Sequence, residues 1–487
     1  MSTIRDLEPS VIWMHFHELT RIPRPSKKEA SIIAYMTKFG EGLGLETIVD
    51  EVGNVIIRKP ATAGMENRKT VILQGHLDMV PQKNSDKQFD FEKDAIEPVI
   101  TKDGWVTADG TTLGSDNGIG VAAAMAVLES KKLKHGPIEA LFTIDEETGM
   151  TGAFGLKPGL LKGDILINMD SEDEGELYVG CAGGIDVSAK KSYRQEGLPG
   201  GYKAFRVLVR GLRGGHSGMD INLGRANANK LLFRFLMQAE ADLAIRLSEA
   251  SGGDLRNAIP REAQAVVLVP EKETGRFEKM VGSYNSMYRN EFAETEPDLS
   301  LTCTSTDTPA SLVPPEEQYR FIRAIYACPN GVQRMSASVK GLVETSNNLA
   351  ITRIGGGEFQ ALNLTRSSVD SAKEATAWKI AAVFQLAGAD VQLSGSYPGW
   401  KPNMDSPILK VCQEVYKKRF GKVPEIKAIH AGLECGLLGG VYPNLDMISL
   451  GPTIRFPHSP DEKVEISTVG KFWEFLVAIL EAVPVKG

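Results

Sequence analysis

The stretch 71-VILQGHLDMV-80 begins as an apolar run and ends with a histidine and an aspartate two residues apart. Val71, Ile72 and Leu73 read as a buried strand. On a strand, residues i and i+2 point the same way, so His76 and Asp78 share one face where the strand meets solvent. That suits a metal-ligating histidine with a carboxylate orienting its ring. A surface pair would read the same, and the motif alone does not choose.

Outward from this strand, residues 1–180 alternate helical and strand-like segments. The segment 25-PSKKEASIIAYMTKFGEGLG-44 carries a capping box, Ser26 with Glu29, then a helical apolar period ending in glycines. Further strands are expected at 46–50, 54–58, 139–143 and 165–169, with a helix over 118–132. This is an α/β pattern with a largely buried sheet. Near Gly184 the character changes. From 185 to 395, strands at 205–210, 265–269, 334–340, 349–353 and 360–365 punctuate amphipathic helices, an α+β signature. An internal echo pairs 205-FRVLVRGLRGGHSGMDI-221 with 334-RMSASVKGLVETSNNLAI-351 and divides this insert into two related halves. From 396 the α/β pattern returns, with a helix over 407–419, a strand ending at His430 and another at 447–450. The expectation is an α/β domain, 1–184 with 396–487, split by an inserted α+β domain, 185–395.

The chain of 487 residues is too long for one ordinary core. A net charge of −7 without basic runs argues against nucleic acid as the main partner. The start MSTIRDLEPS has no signal-peptide character, and no window approaches the roughly 18 apolar residues of a membrane span. The apolar FLVAIL at 475–480, flanked by Glu474 and Glu481, reads as a C-terminal core helix. Five scattered cysteines, none in CxxC spacing, fit free thiols in a reducing cytosol.

Polar clusters follow the apolar strands at comparable positions, and in open α/β sheets ligands gather beyond the carboxyl ends of the strands. Asp116 sits in the glycine-rich loop of 109-DGTTLGSDNGIGVAAAMAVLE-129. Gly118-Ile-Gly120-Val-Ala-Ala123 also satisfies a dinucleotide fingerprint, but the polar, turn-like TTLGSDN stands where an apolar strand is required. In 141-LFTIDEETGMTGA-153 a strand runs into Asp145, Glu146 and Glu147. Adjacent carboxylates repel, and a cation removes that penalty. Asp170 is the first polar side chain after the strand ILINM, with Glu172, Asp173 and Glu174 read as surface charges. His458 lies between two prolines in 449-SLGPTIRFPHSPDEKV-464. Two histidines and three carboxylates make a ligand set for two zinc ions, which leaves the site near net +1 and favours a bound hydroxide.

Taken in order, GHLDMV, LGSDNGIG, TIDEETG, NMDSEDEGEL, GLRGGHSG, NAIPREA, HAGLECG and GPTIRFPHSPDE resemble the aminoacyl-histidine dipeptidases, the PepD-type, carnosinase-like branch of the dinuclear zinc exopeptidases. The resemblance runs from about residue 10 to the C-terminus. It implies a mixed-sheet zinc-exopeptidase catalytic domain split by a lid domain for substrate binding or dimerisation. It implies that His76 and Asp170 hold one zinc, Glu147 and His458 the other, and that Asp116 bridges them, with a cis peptide following it. Asp78 would bind the far nitrogen of His76, and Glu146 would be general base and acid. His216 in the lid would stabilise the oxyanion, while Asn257, Arg366 and Gly432 would contact substrate. Glu434 is placed for a substrate ammonium, and His430 reads equally as a structural histidine. The implied activity is hydrolysis of unblocked L-dipeptides, Xaa-His included, by a dizinc-bound hydroxide, in the cytoplasm, with cobalt or manganese as alternative metals. An N-acyl amino acid amidohydrolase or tripeptidase on the same core is the nearest alternative, and an inactive binding protein the next. A doubled lid could replace a partner subunit or form the face of a homodimer.

Overall fold

The computed structural model describes residues 3–486 and divides into two compact units. Within the described residues the first comprises 3–180, 402–428 and 433–486, the second Cys181–Lys401 with Ile429–Gly432. The crossings therefore differ from the expected 184/185 and 395/396. Cys181 and Trp400 exchange backbone hydrogen bonds at 2.9 and 3.0 Å, which ties both ends of the insert together. The short segment 429–432, expected in the first unit, joins the second because the Ala182 amide donates to the carbonyls of Ile429 and Ala431.

The first unit is built on an eight-stranded mixed sheet. Its spatial order is Glu46–Val49, Val55–Lys59, Ile138–Thr143, Val71–His76, Ile165–Asn168, Asp446–Ser449, Glu176–Cys181 and Glu425–Ile429. The four strands from Ile138–Thr143 to Asp446–Ser449 are mutually parallel, and antiparallel strands flank them. Every residue of Val71–His76, Ile138–Thr143 and Ile165–Asn168 is buried, as continuous apolar runs in a doubly covered parallel sheet require. The alanine-rich helix Ser115–Glu129 is apolar all round and buried accordingly. Its glycines serve packing: a Cβ on Gly120 would stand 2.5 Å from the Met169 carbonyl oxygen. The FLVAIL segment lies in the helix Ile466–Ala482, with Phe475, Leu476, Ile479 and Leu480 buried. A small sheet pairs Ile454–Arg455 and Lys463–Glu465 with Trp105–Ala108 and Pro98–Ile100, which anchors the loop between 455 and 463.

One local expectation fails. The helix near residue 30 spans Ala30–Gly42 with no side-chain cap. Ser26 instead donates to Asp78 Oδ2 at 2.8 Å, and Glu29 Oε1 accepts from the amides of Lys27 and Asp145 at 2.7 and 3.1 Å. A buried carboxylate outcompetes a helix end for the hydroxyl, because charge-assisted bonds are the stronger ones.

The second unit has a nine-stranded antiparallel sheet. One βαββαβ half runs Tyr202–Arg210, Ala228–Leu243, Arg246–Gly252, Ala263–Pro270, Thr274–Glu291, Ser300–Ser305. The other runs Gly183–Ser192, Pro315–Ala327, Val343–Gly355, Glu358–Ser367, Asp370–Leu386, Asp390–Tyr397. Pairing of Arg246–Gly252 with Val343–Gly355 fuses them edge to edge. The halves are thus related, but the alignment of the echo is corrected. The counterpart of Tyr202–Arg210 is Gly183–Ser192, since both are first strands lying between the third and fourth of their own half. One half is inserted between the first strand and first helix of the other, an order that a linear repeat does not have. Among the described residues no helix is long and apolar enough to cross a membrane.

Candidate metal centre

The four parallel strands deliver their polar residues at one edge. His76 ends its strand, Glu146 and Glu147 follow Thr143, Asp170 follows Asn168, and His458 lies in the loop beyond Ser449. Asp116 stands at the start of the helix Ser115–Glu129, and the peptide between Asp116 and Asn117 is cis. His76 Nε2 lies 3.2 Å from Asp116 Oδ1 and 3.4 Å from Asp170 Oδ1. His458 Nε2 lies 3.4 Å from Asp116 Oδ2 and 2.9 Å from Glu147 Oε2. Two triads therefore share Asp116, and the ligand atoms of each lie within 4.8 Å of one another.

The electrostatics are those of a site short of positive charge. Burial disfavours the His76 imidazolium, yet Asp170, Asp116 and Asp78 override it and raise its pKa well above the ordinary value. Hydrogen bonds to Asp116 and Glu147 lift His458 to about 11. Burial, with Asp116 and Glu147 adding repulsion, pushes Asp170 up to about 7 against the pull of His76. Burial likewise raises Glu146 well above the carboxylate range, with His76 opposing and Asp170, Glu434 and Glu147 adding. Asp170 Oδ1 is buried without a hydrogen-bond partner. Imidazole nitrogens and carboxylate oxygens in two triads with a shared carboxylate are a donor set for two dications. The residues fit such a pair, and cations would relieve both the repulsion and the orphaned oxygen.

Asp78 holds this arrangement from below. It is fully buried, and its Oδ1 lies 3.3 Å from His76 Nδ1, which also reaches the Asp78 carbonyl at 3.1 Å. The same Oδ1 accepts the Glu146 amide at 3.0 Å, while Oδ2 accepts the Glu147 amide at 3.3 Å and Ser26 Oγ. Burial works against its ionisation, but bonds from His76, Ser26 and Glu146 bring its pKa down to about 2. Gly75, which precedes His76, has no room for a side chain: a Cβ there would meet Asn117 Oδ1 at 2.2 Å.

Two contributors, Arg24 and the Glu462 that ends the GPTIRFPHSPDE stretch, are given no role by the sequence. Glu462 accepts from the amides of Leu113, Gly114 and Ser115 at 2.8, 3.0 and 2.7 Å, from the Ser115 hydroxyl at 2.6 Å and from the Asp116 amide at 3.3 Å. It fixes the loop that presents Asp116. Arg24 is 2% exposed and donates to the carbonyls of Leu77, Asp78 and Gly114. It places a buried cation behind the acidic cluster. Glu172, Asp173 and Glu174, expected as surface charges, are only partly exposed. Burial, with Asp116 and Asp170 nearby, pushes Glu172 up to about 8, Asp173 pairs with Arg455 at 2.6 Å, and Glu174 bonds the Tyr416 hydroxyl. A further acidic group, Glu29, Asp78 and Asp145, is committed to hydroxyl and amide donors. Glu434 is buried with Oε2 bonded to Gln74 and Thr143.

In the second unit, His216 Nδ1 accepts from the amides of Gly218 and Met219 at 3.2 and 3.1 Å. Burial and Arg366 lower its pKa, so the neutral ring carries its proton on Nε2 and offers a donor. Arg366 is 5% exposed, reaching Ser217 Oγ at 3.4 Å and the Tyr397 hydroxyl at 3.1 Å, with no carboxylate paired to it among the described residues. Asn257 is exposed, and its carbonyl accepts the Ser217 amide at 2.7 Å. Gly432 is half-buried beside His430. His430 is buried with Nε2 2.8 Å from Ser346 Oγ, and burial with Arg366 brings it down to about 3.

Comparison with known proteins gives the family. Residues 72–482 match Peptidase family M20/M25/M40. A cytosol non-specific dipeptidase from Escherichia coli (strain K12) is 46% identical over 486 residues, covering 100% of both chains. The crystal structure of aminoacylhistidine dipeptidase from Vibrio alginolyticus has 49% identity and a TM-score of 0.95, covering 100% of this chain and 99% of the other. Aminopeptidase PepT from Bacillus cereus shares the fold at 18% identity and a TM-score of 0.58, covering 98% of this chain and 99% of its own.

Proposed function

The chain belongs to peptidase family M20/M25/M40, and on that basis we propose that it is a metal-dependent dipeptidase hydrolysing unblocked L-dipeptides, Xaa-His among them. The observation that carries the reading is the pair of triads on Asp116 with Glu146 beside them. His76 and Asp170 would hold one metal, Glu147 and His458 the other, and Asp116 would bridge. Zinc is the metal proposed, and cobalt and manganese take the same donors. When bound, such a pair acidifies a water between them and polarises the scissile carbonyl.

The chain's own residues do the rest. Glu146 takes the proton of the attacking water and delivers it to the leaving amine. Its carboxyl stands beside the triads, grouped with His76 and Glu147, and Asp78 fixes its backbone. In the second unit, read here as the lid, His216 supplies the Nε2–H donor that an oxyanion needs. Arg366, a buried guanidinium without a carboxylate of its own, is suited to the substrate's C-terminal carboxylate in bidentate fashion. Asn257 and Gly432 contribute side-chain and backbone contacts to the same substrate. The cytosol is the proposed compartment, as in the name of the Escherichia coli relative.

The test is hydrolysis of L-alanyl-L-histidine, a tripeptide and N-acetyl-L-histidine, with metal stoichiometry measured on the same preparation. Wild type cleaves the dipeptide with about two metals bound. Glu146→Ala keeps the metals and loses turnover by roughly 100- to 10,000-fold. Near-normal rates in that variant would rule out the assignment.

A further inference from the structure

Glu434 opens the helix Glu434–Val441 and is fully buried, yet it belongs to neither metal triad. Its Oε2 receives Gln74 Nε2 at 2.6 Å and Thr143 Oγ1 at 2.7 Å. Its Oε1 is buried and has no partner. Gln74 shares a strand face with His76 two residues on, and Thr143 stands opposite His76 in the neighbouring strand, so these bonds hold the carboxyl on the His76 side of the sheet, at the edge where the triads gather.

Behind it runs a chain of hydrogen bonds with a single direction. Ser449 Oγ donates to Asn168 Oδ1 at 2.5 Å, Asn168 Nδ2 donates to Gln74 Oε1 at 2.5 Å, and Gln74 Nε2 donates to Glu434. Ser171 Oγ lies 2.7 Å from Ser449 Oγ. With the Ser449 proton committed to Asn168, Ser171 is the donor of that pair. Each amide's orientation is set by its neighbours, and every dipole in the chain turns its positive end toward the Glu434 carboxylate. The row crosses three of the parallel strands, with Gln74 two residues before His76 and Asn168 two before Asp170. One frame therefore positions the ligands and this carboxylate together.

We propose that Glu434 is the receptor for the free α-ammonium group of the dipeptide, and that Gln74, Asn168 and Ser449 are positioning residues which leave its Oε1 unpaired for that purpose. The inference rests on the dipeptidase reading and adds the determinant of specificity at the amino end. The negative charges of the triads would be taken up by the cations those residues would hold, whereas Glu434 lies outside both triads and its charge is left for a cationic group of the substrate. A blocked or missing amino group leaves a buried carboxylate oxygen without a partner, so N-acyl amino acids are refused. Sites built to bond a substrate N–H or O–H reject analogues lacking it far more strongly than apolar pockets reject a methylene.

Two ligands test this: L-alanyl-L-histidine and propionyl-L-histidine, which differ only by replacement of the ammonium with hydrogen. The quantities read are KM and kcat for the first and the competitive inhibition constant of the second, all on metal-loaded enzyme. Glu434→Gln raises KM for the dipeptide by roughly 10- to 150-fold and leaves the inhibition constant of propionyl-histidine within about twofold. Ser449→Ala, remote from substrate, raises the same KM several-fold with kcat and the propionyl constant unchanged. A merely structural role would weaken both ligands alike, and that result in either variant overturns the inference. Should Glu434→Gln not fold, Ser449→Ala decides by the same split. If loaded wild type cleaves no dipeptide, the dipeptidase reading itself fails. If wild type cleaves the dipeptide but holds propionyl-histidine equally well, only the role of Glu434 fails.

Discussion

Replacing Asp78 with asparagine changes one atom and sets a buried hydrogen-bond count against itself. All four side-chain partners of Asp78 are donors: His76 Nδ1 and the Glu146 amide at Oδ1, Ser26 Oγ and the Glu147 amide at Oδ2. Asparagine has one acceptor oxygen and an NH2 group. With its NH2 toward His76, it opposes the Glu146 amide and favours the wrong imidazole tautomer. With its NH2 toward Ser26, the hydroxyl can rotate to accept, and only the Glu147 amide is stranded. The second orientation is the cheaper one, and the Asp78 carbonyl, 3.1 Å from His76 Nδ1, still holds the ring. The cost is then one unsatisfied buried amide plus the loss of a charge, about 2–4 kcal/mol. Part of it appears as global destabilisation and part as displacement of Glu147, a proposed ligand. Altering a partner of a ligand costs roughly 10- to 100-fold in metal affinity or activity. Chelator competition on the metal-free protein, steady-state kinetics on dipeptide and urea melts measure the three shares. Unchanged affinity for both metals together with kcat/KM within about twofold of wild type would refute the claim that Asp78 holds the base and the ligand in place.

The remaining expectations concern other supports of the site. Glu462→Ala strands the amide donors that present Asp116 and destabilises by at least about 3 kcal/mol, with weaker metal retention; a denaturation midpoint equal to wild type would contradict it. His430 is held near pKa 3 by burial and Arg366, so between about pH 6.5 and 3 the unfolded chain binds a proton that the folded chain refuses, and stability falls as pH falls through that window. His430→Asn flattens the difference between urea melts at pH 7 and pH 5, and an unaltered difference would count against the assignment. Arg366→Lys keeps the charge but loses the planar fork, so KM for dipeptides rises at least about tenfold with metal stoichiometry intact. Equal KM values would remove Arg366 from substrate recognition.

The strands and their order of appearance were legible because a doubly covered parallel sheet writes itself as short apolar runs. Val71–Leu73, 139–143 and 165–169 lie within or one residue off the observed strands. The candidate ligand positions could be read for the related reason that polar residues directly after such runs fall at one edge of the sheet. Strands at Arg246–Gly252, Ser300–Ser305 and Asp390–Tyr397 were missed, since an exposed face writes a polar, weakly alternating pattern. The capping box at Ser26 was misread for another reason. Its geometry is local, whereas Ser26 answers to Asp78, far away in the chain.

By itself the sequence determined which residue types follow which strands, and hence the chemical class of the site. Only the tertiary structure decided who restrains whom: Glu462 under the Asp116 loop, Arg24 behind the acids, and the Ser449–Asn168–Gln74 chain behind Glu434. Glu462, Asn168 and Glu434 lie inside quoted motifs, yet the motifs do not say what these side chains bond, because their partners lie tens to hundreds of residues away. Their roles arise from burial, which makes each unsatisfied donor or charge costly, and burial is a property of the fold and not of any local stretch of chain.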